Sequence, residues 1–427
     1  MDFFNYKNGE LHCEGVPAEK IARAVGTPAY VYSKATFLHH YHQMADAFAP
    51  LKATICYSIK SCGNIHICRL LAQEGSGFDV TSGGELFRAL KAGGEAKKII
   101  YAGVGKTDEE IADGINAGIA AFNLESEAEI ENIDRVAASL GKTAIGALRV
   151  NPDVDPKTHV KTTTGKKGTK FGVDIARARQ VFSQYRDLKH LRIAGVHIHI
   201  GGPVYEIQPH VQAVEKIVQL IEDLTADGHR IEWFDMGGGF GVNYERPDQA
   251  PPAAQYARAL IPLLKDKPYK LALEPGRYIA GNAGILLTRV LYRKTGGEKK
   301  FVIVDAGMND LTRPTLYEGY HHIWPVKPDA QSIPPQRSKA FEPPGGEIVD
   351  VVGPICESGD YLAKDRMLPP TRRGDLLAVF TAGAYGFAMS SNYNNRPRAP
   401  EVLVDGSEFR IIRRRETLDD LIAAEMV

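Results

Sequence analysis

The chain has 427 residues, of which 44% are hydrophobic and 24% charged, so it is long enough for one large domain and a smaller one. Its 52 basic and 52 acidic residues balance, which argues against a nucleic acid or a membrane surface as partner. The five cysteines contain no C-x-x-C pair and no zinc-ligand spacing, which suits a reducing cytoplasm. The N-terminus "MDFFNYKNGE" has no signal-peptide pattern, and no apolar run approaches the ~18 residues of a membrane span. We therefore expect a soluble, cytoplasmic protein.

The N-terminal segment, residues 1–32, holds the turn signal Asn8-Gly9, a helix-like run "AEKIARAV" and a strand-like run "PAYVYS". The eight strands counted below are complete without this segment. We therefore expect it to pack with the C-terminal β domain rather than to extend the barrel.

From about residue 53 to residue 277, the chain repeats a short apolar run, a polar turn and a helix-like stretch. Such alternation indicates parallel βα units. In three units Ser82, Thr107 or Ser126 stands three residues before a glutamate, the pattern of a capping box. An open doubly wound sheet is the structural alternative, but it would want a dinucleotide fingerprint after the first strand. The sequence thus predicts an α/β fold with a (β/α)8 TIM-like barrel over residues 33–280. The eight runs are "ATICYSIK", "GFDVTS", "KIIYAG", "AAFNLES", "AIGALRV", "IAGVHIHI", "IEWFDM" and "YKLALEP".

Residues 281–427 have a different sequence pattern from the repeated βα units. Apolar runs such as "KFVIVDAG", "GEIVDVVGP" and "DLLAVFTAG" predict an antiparallel β domain, and Asp405-Gly406 favours a tight hairpin. A proline-rich stretch from Pro325 to Pro344 indicates a loop between its strands.

Polar residues stand where the barrel strands end, which is where barrels of this kind build their chemistry. Lysine supplies an amine, the glycine runs supply bare backbone that can close on a phosphate, and Glu274 supplies an acid. Together they suggest pyridoxal phosphate, which a lysine binds covalently while an acid holds the pyridine nitrogen protonated. The positions are Lys60, Asp79, Arg149, His199, Gly237 to Gly241, and Glu274 to Arg277.

Two other patterns compete with this interpretation. "GVGKT", Gly103 to Thr107, resembles the end of a P-loop, but Ile100 stands where the first glycine is required. His197 and His199 alternate onto one face of a strand, as ligands of a metal-dependent barrel hydrolase would. The other strand ends offer lysine, glycine and arginine instead of further ligands, so we predict no metal site. The hydrolase and a non-catalytic binding protein stay as alternatives.

With Lys60, "HIHIGG", "GGGF" and "EPGR" in this order, the chain resembles the alanine-racemase-fold pyridoxal phosphate-dependent decarboxylases almost end to end. Within them it is most similar to the diaminopimelate decarboxylase family. The resemblance implies a carboxy-lyase that converts meso-2,6-diaminopimelate to L-lysine and carbon dioxide, and a homodimer with active sites shared across the interface. A related decarboxylase of another diamino acid or of carboxynorspermidine is the alternative. The segments that carry the resemblance are "NPDVDPKTHVKTTTGKKGTKFGV" from Asn151, "DAGMNDLTRPTLYEGYHHI" from Asp305, "CESGD" from Cys356 and "AGAYGFAMSSNYN" from Ala382.

The resemblance also implies roles for individual residues. Lys60 would carry the cofactor, His199 would stack on its ring, and Glu274 would pair with the pyridine nitrogen. Cys356 matches the proposed proton donor and completes the catalytic set. In the alanine racemases an arginine takes the place of Glu274, so the acid favours decarboxylation. The implied cofactor-binding residues are Lys60, Asp79, Arg149, His199, Gly238, Gly239, Glu274, Gly276, Arg277 and Tyr385, and the implied substrate-binding residues are Arg277, Arg313, Tyr317, Glu357 and Tyr385.

The substrate set has a physical logic, because a guanidinium suits a distal carboxylate and Glu357 suits a distal ammonium. One departure concerns the cofactor. The family usually has serine where this chain has Gly202, so we expect a lower affinity for the cofactor or a backbone donor in place of the hydroxyl.

Overall fold

A computed structural model describes residues 2–156 and 169–427. The chain divides into two compact units. The β unit comprises Met1–His39, Val242–Gln249 and Ile279–Val427, and the barrel unit comprises His40–Gly241 and Ala250–Tyr278. Residues 157–168, which belong to the segment that starts at Asn151, lie outside the described residues.

The N-terminal segment forms a small antiparallel sheet. Its elements are β1 (Phe4–Lys7), β2 (Glu10–Cys13), β3 (Val16–Pro17), α1 (Ala18–Val25) and β4 (Ala29–Ser33). β1 pairs with β2, and β2 pairs with β3. Asn8 and Gly9 make the predicted turn with φ angles of 50° and 80°, a region that asparagine and glycine adopt at low cost.

The barrel unit contains eight parallel strands that close on themselves. Its elements, with the helix that leads into it, are α2 (Lys34–Ala47), β5 (Thr54–Ser58), α3 (Ile65–Gln73), β6 (Gly77–Val80), α4 (Gly83–Lys91), β7 (Ile99–Tyr101), α5 (Asp108–Ala117), β8 (Ala121–Leu124), α6 (Glu127–Ser139), β9 (Ala144–Asn151), β10 (Val173–Asp174), α7 (Ile175–Gln184), β11 (Leu191–His197), α8 (Gln208–Ala226), β12 (Trp233–Asp235), α9 (Ala253–Leu264) and β13 (Lys270–Leu273). The strand order is β5-β6-β7-β8-β9-β11-β12-β13, and β13 pairs back onto β5. Each predicted apolar run supplies one of these strands, so the predicted (β/α)8 barrel is confirmed.

The barrel helices begin where the capping pattern predicts. The hydroxyls of Ser82, Thr107 and Ser126 each accept a hydrogen bond of 3.2 Å from the backbone N–H three residues later. The reciprocal bond of a capping box forms only at Thr107, whose N–H donates to Glu110 Oε2. In the other two helices the glutamate accepts from the residue before the N-cap, which satisfies a donor just beyond the preceding strand. Only one of the three predicted boxes is therefore complete.

The remaining elements of the chain are α10 (Gly276–Ala280), β14 (Gly284–Gly296), β15 (Lys299–Val304), α11 (Arg313–Tyr317), β16 (Ile323–Pro325), β17 (Glu347–Val352), β18 (Tyr361–Leu368), β19 (Leu376–Val379), β20 (Glu401–Asp405), β21 (Glu408–Arg413) and α12 (Leu418–Ile422). The β unit is built on a sheet in the order β18-β17-β15-β14-β4-β20-β21, with β19 on β14 and β16 on β19. The sheet is mostly antiparallel, as predicted; the pairs β15–β17 and β4–β20 are parallel. The predicted hairpin joins β20 to β21, with Gly406 at φ 62°. Within the described part of the chain, no helix combines the length and apolar character needed to cross a bilayer.

Candidate active site

Lys60 lies in a single 3-10 turn directly after β5, at the carboxyl end of the first barrel strand. Its Nζ contacts Asp79 Oδ2 on the neighbouring strand β6. The Lys60 side chain is 32% exposed, whereas Asp79 is fully buried. Burial and the nearby Glu274 raise the pKa of Asp79, while the Lys60 ammonium lowers it. The pair thus holds an amine at the strand end, in reach of solvent and fixed by a buried carboxyl group.

Glu274 directly follows β13 and is buried. Its Oε1 accepts a hydrogen bond of 3.4 Å from Asn123 Nδ2. Its Oε2 lies 3.6 Å from His197 Nε2 and 3.8 Å from His199 Nδ1. Burial acts to raise the pKa of Glu274, but its interactions with His197 and with the Lys60 ammonium outweigh burial and hold the pKa below its usual range. Glu274 is therefore ionised at neutral pH.

His199 presents a neutral imidazole beside this carboxylate. Its Nδ1 accepts a hydrogen bond of 3.2 Å from the backbone N–H of Gly238. Because Nδ1 is the acceptor, the proton of the neutral ring is on Nε2. Burial and the charge of Arg149 lower the pKa of His199 well below its usual value. The ring is thus a fixed, uncharged surface with 23% of the side chain exposed.

The glycines after β12 and β13 are required by close backbone approaches. A Cβ on Gly238 would lie 2.5 Å from the carbonyl oxygen of Glu274, and a Cβ on Gly276 would lie 2.7 Å from Ser58 Cβ. A Cβ on Gly202 would lie 3.1 Å from the Cα of Gly239. The loop at Gly202, where the family usually has serine, is therefore packed tightly enough that a side chain there would need a small backbone shift.

Arg149 on β9 is held by a residue that the sequence analysis missed. Its Nη1 donates to Glu125 Oε1 at 2.8 Å, and its guanidinium lies 4.5 Å from the ring centre of Phe171. Glu125 also accepts backbone hydrogen bonds from Gly103 and Gly172, at 3.2 and 3.0 Å. Glu125 directly follows β8, so the rule that polar residues at barrel strand ends are functional could have identified it.

The P-loop-like segment "GVGKT" has a structural role. Lys106 is buried, and its Nζ donates to Glu129 Oε1 at 2.7 Å and to the carbonyl oxygens of Gly103 and Asn123 at 2.8 and 2.9 Å. These acceptors use the three donors of the ammonium. Lys106 therefore joins the loops after β7 and β8, and the sequence-based rejection of a phosphate loop agrees with its contacts.

The other predicted residues lie in the β unit. Arg313 and Tyr317 are the first and last residues of α11. Arg313 is buried: its Nη1 donates to His321 Nε2 at 2.7 Å, and its guanidinium lies 4.5 Å from the ring centre of Tyr244. The short helix thus orients its arginine by packing and by one of the five donors that a guanidinium carries.

The turn after β17 carries Cys356 and Glu357, and both are exposed. Tyr393 Oη donates to Glu357 Oε2 at 2.9 Å. The backbone N–H of Cys356 donates to Asn394 Oδ1 at 2.9 Å. Thr315 of α11 donates from Oγ1 to the carbonyl oxygen of Gly359 at 2.7 Å. The helix with Arg313 and Tyr317 therefore packs beside this turn, and Tyr385 lies further along the same unit with φ 56°.

The barrel residues fit the predicted cofactor. Lys60 offers an amine, Glu274 an ionised carboxylate and His199 a flat neutral ring. Asp79 Oδ1 and Asn123 Oδ1 are buried and have no hydrogen-bond partner in the protein. Buried polar atoms are rarely left unpaired, so these two, next to Lys60 and Glu274, match a site built for a polar aromatic ligand.

Comparison with known proteins gives one consistent result. Residues 34–281 match the family model described as "Pyridoxal-dependent decarboxylase, pyridoxal binding domain". The diaminopimelate decarboxylase of Neisseria meningitidis serogroup A is 48% identical over 97% of this chain and 99% of its own, and that of Aquifex aeolicus is 46% identical over 98% and 96%. The crystal structure of diaminopimelate decarboxylase from M. jannaschii, in co-complex with L-lysine, superposes with a TM-score of 0.92 at 38% identity, covering 100% of this chain and 98% of that one. The chain belongs to the diaminopimelate decarboxylase family of pyridoxal-dependent enzymes.

Proposed function

We propose that the chain catalyses the pyridoxal phosphate-dependent decarboxylation of meso-2,6-diaminopimelate to L-lysine and carbon dioxide, the last step of lysine biosynthesis. The observation that carries this proposal is Lys60 at the end of β5, paired with Asp79, in a chain of this family. Family membership favours the decarboxylase over the metal-dependent hydrolase and the non-catalytic binding protein.

When bound, pyridoxal phosphate supplies an aldehyde that condenses with amines and a ring that accepts the electron pair left by a departing carboxylate. Lys60 Nζ is the amine that would hold it, because this nitrogen is partly exposed at the strand end where barrels place their chemistry. Asp79 fixes that nitrogen through its Oδ2. The same carboxyl group would keep the Lys60 amine at the site.

Glu274 would keep a proton on the pyridine nitrogen. An ionised carboxylate in a buried site stabilises a cation strongly. Asn123 Nδ2 holds Oε1 of this carboxylate at 3.4 Å, which orients it. The neutral ring of His199 would cover one face of the cofactor, since its Nδ1 is fixed by Gly238.

The glycines at this rim would bind the phosphate. Gly238, Gly239 and Gly276 carry no side chain that would keep an anion away from the backbone. The N–H of Gly238 already donates to His199 Nδ1 and that of Gly276 to the carbonyl oxygen of Glu274, so Gly239 is the glycine whose N–H we propose for the phosphate. Arg149, held by Glu125, adds a positive charge at the same rim. Arg277 and Tyr385 complete the proposed cofactor set, and Tyr385 would donate from its hydroxyl to the phosphate.

The substrate has an amino acid group at each end, and the substrate-binding residues that the family resemblance implies offer complementary charges. Arg313 and Arg277 suit the distal carboxylate because guanidinium binds carboxylate with two parallel hydrogen bonds. Glu357 and the hydroxyls of Tyr317 and Tyr385 suit the distal ammonium. Cys356 would deliver a proton from Sγ to the α-carbon, and its exposure leaves that sulfur accessible.

The direct experiment measures carbon dioxide release by the purified protein from meso-diaminopimelate, with and without added pyridoxal phosphate. D-Lysine, D-ornithine and carboxynorspermidine serve as parallel substrates. We expect cofactor-dependent release from diaminopimelate alone. Release only from one of the other compounds would support the related decarboxylase instead, and no release from any of them would overturn the proposal.

The same proposal includes a homodimer in the cytoplasm. Cys356 and Glu357 are exposed, which leaves them available to a second copy of the chain, and the five cysteines form no disulfide. Sedimentation equilibrium at enzyme concentrations used for the assay gives the mass. A monomer that is fully active would contradict active sites shared between subunits.

A further inference from the structure

A second carboxyl group is buried beside Glu274. The parallel register pairs His197 of β11 with Asp235 of β12, and Asp235 with Ala272 of β13. Glu274 lies two residues beyond Ala272, and side chains two residues apart along a strand direction share a face. One ring nitrogen of His197 and one carboxyl oxygen each of Asp235 and Glu274 accordingly lie within 4.8 Å of one another, and all three side chains are buried.

No cation is paired with Asp235 among the described residues. Lys60 and Arg149 at this rim are already paired with other carboxylates. Asp235 Oδ1 accepts a hydrogen bond of 2.9 Å from the N–H of Gly237, whereas Oδ2 is buried with no hydrogen-bond partner. Two carboxyl groups that share a buried site do not both ionise.

The neighbours of Asp235 decide which of the two carboxyl groups keeps a proton. Glu274 and His197 lie beside it, and Asp79 and the thiol of Cys56 are close enough to interact with it electrostatically. Burial and the charge of Glu274 raise the pKa of Asp235 well above its usual value. Glu274, with Asn123, His197 and His199 around it, is the ionised member.

We propose that Asp235 is a protonated carboxylic acid that donates a hydrogen bond from Oδ2 to Glu274 and so keeps Glu274 ionised. The inference rests on the proposed function, in which Glu274 holds a proton on the pyridine nitrogen of the cofactor. A hydrogen bond donated to the Glu274 carboxylate stabilises its ionised form and lowers the affinity of Glu274 for a proton. The proton of the pyridine nitrogen therefore stays on the nitrogen. Asp235 is thus a positioning residue that acts through Glu274.

The competing arrangement is an ionised Asp235 paired with a protonated His197. Two substitutions separate the arrangements. Asp235→Asn keeps an acceptor for Gly237 and a donor for Glu274, so it imitates a protonated acid but not a carboxylate. Asp235→Leu has a similar size and removes both the donor and the acceptor.

Infrared spectroscopy of the full-length protein, with and without bound pyridoxal phosphate, tests the protonation state directly. At pH 8.5 we expect a carbonyl band of a protonated carboxylic acid that disappears in Asp235→Asn. The control is Asp310→Asn, which removes another buried acid, one whose pKa burial raises to about 7; this variant should keep the Asp235 band. Identical spectra for the unaltered protein and Asp235→Asn would overturn the inference. This measurement needs no activity and remains decisive if Asp235→Leu does not fold.

The consequence for the cofactor is tested with pyridoxal phosphate labelled with 15N in its ring, by solid-state NMR of the loaded enzyme. We expect the shift of a protonated nitrogen in the unaltered enzyme and in Asp235→Asn, and that of an unprotonated nitrogen in Asp235→Leu. The cofactor Kd should rise about tenfold or more in the leucine variant, the value of a hydrogen bond to a charged group. If Asp235→Asn behaves like Asp235→Leu, or if Asp235→Leu keeps the protonated shift, the inference is wrong. Absence of carbon dioxide release from the unaltered enzyme would instead count against the proposed function.

Discussion

Arg149 donates a 2.8 Å hydrogen bond to Glu125, and the two side chains are 7% and 2% exposed. A buried ion pair of this kind joins the ends of β8 and β9, and Glu125 also holds two backbone N–H groups of neighbouring loops. Although burial acts to raise the pKa of Glu125, the charge of Arg149 and its hydrogen bond hold that pKa below its usual range. The pair therefore fixes one side of the barrel rim.

The first prediction concerns this pair. Glu125→Ala leaves the Arg149 charge buried without its partner, so we expect a loss of about 3–5 kcal/mol in the free energy of unfolding. Arg135→Ala is the control: it breaks the Arg135–Asp108 pair, which is exposed on both sides, and should change the free energy of unfolding far less, because solvent screens exposed ion pairs. Urea denaturation followed by circular dichroism measures both. Equal losses in the free energy of unfolding for the two variants would show that breaking the buried Glu125–Arg149 pair is no more destabilising than breaking an exposed pair.

The second prediction concerns Lys60. Lys60→Ala should abolish decarboxylation and the covalent attachment of the cofactor, because it removes the amine to which the cofactor would attach. Lys60→Arg keeps a cation for Asp79 and is the matched control for folding. Borohydride reduction followed by mass spectrometry detects the attachment. A Lys60→Ala enzyme that still decarboxylates meso-diaminopimelate would contradict the proposed mechanism.

The third prediction concerns Glu357 and the distal end of the substrate. Glu357→Gln should raise KM for meso-diaminopimelate about tenfold or more, since a hydrogen bond to a charged group contributes about 1.5–3 kcal/mol. The Kd for pyridoxal phosphate should stay unchanged. Tyr393→Phe removes only the hydrogen bond to Glu357, so its effect on KM should be smaller. Equal losses of substrate and cofactor binding in Glu357→Gln would contradict the assignment.

The fourth prediction concerns pH and the buried His322, whose ring stacks on Trp324 at 5.2 Å. Burial and the charges of Arg337 and Arg366 lower the pKa of His322 to about 3. Because this pKa is depressed in the folded state, the unfolded chain binds the proton more readily below about pH 6.5. The contribution of the neutral His322 to the free energy of unfolding is therefore complete above about pH 6.5 and is lost as pH falls toward 3.

We expect the unaltered protein to lose about 2 kcal/mol from this group between pH 7.5 and pH 5. His322→Phe does not titrate, so its stability should fall less over the same interval, whatever its starting value. Urea midpoints at several pH values measure the difference. Parallel curves for the two proteins would contradict the assignment of this pH dependence to His322.

Local patterns were enough for the architecture. The eight barrel strands follow from short apolar runs, because a strand buried on both faces must be apolar along its whole length. The helix starts at Ser82, Thr107 and Ser126 follow from a side chain that satisfies its own neighbouring N–H groups. Lys60 and Glu274 were identifiable because barrel chemistry is placed at strand ends. These features depend on residues close together in the chain.

Pairings between distant residues needed the fold. The sequence analysis did not identify Glu125 as the partner of Arg149, and it gave Asp235 no role. The register of β11, β12 and β13 brings His197, Asp235 and Glu274 within 4.8 Å, and a one-residue shift would turn a side chain to the other face of the barrel wall. The sequence by itself thus determined the strands and the family, and it identified Lys60 as the candidate for the cofactor lysine. Only the tertiary structure decided which buried ionisable side chains share a site, because the ionisation of each side chain depends on its distances to the others, and closure of the barrel sets those distances.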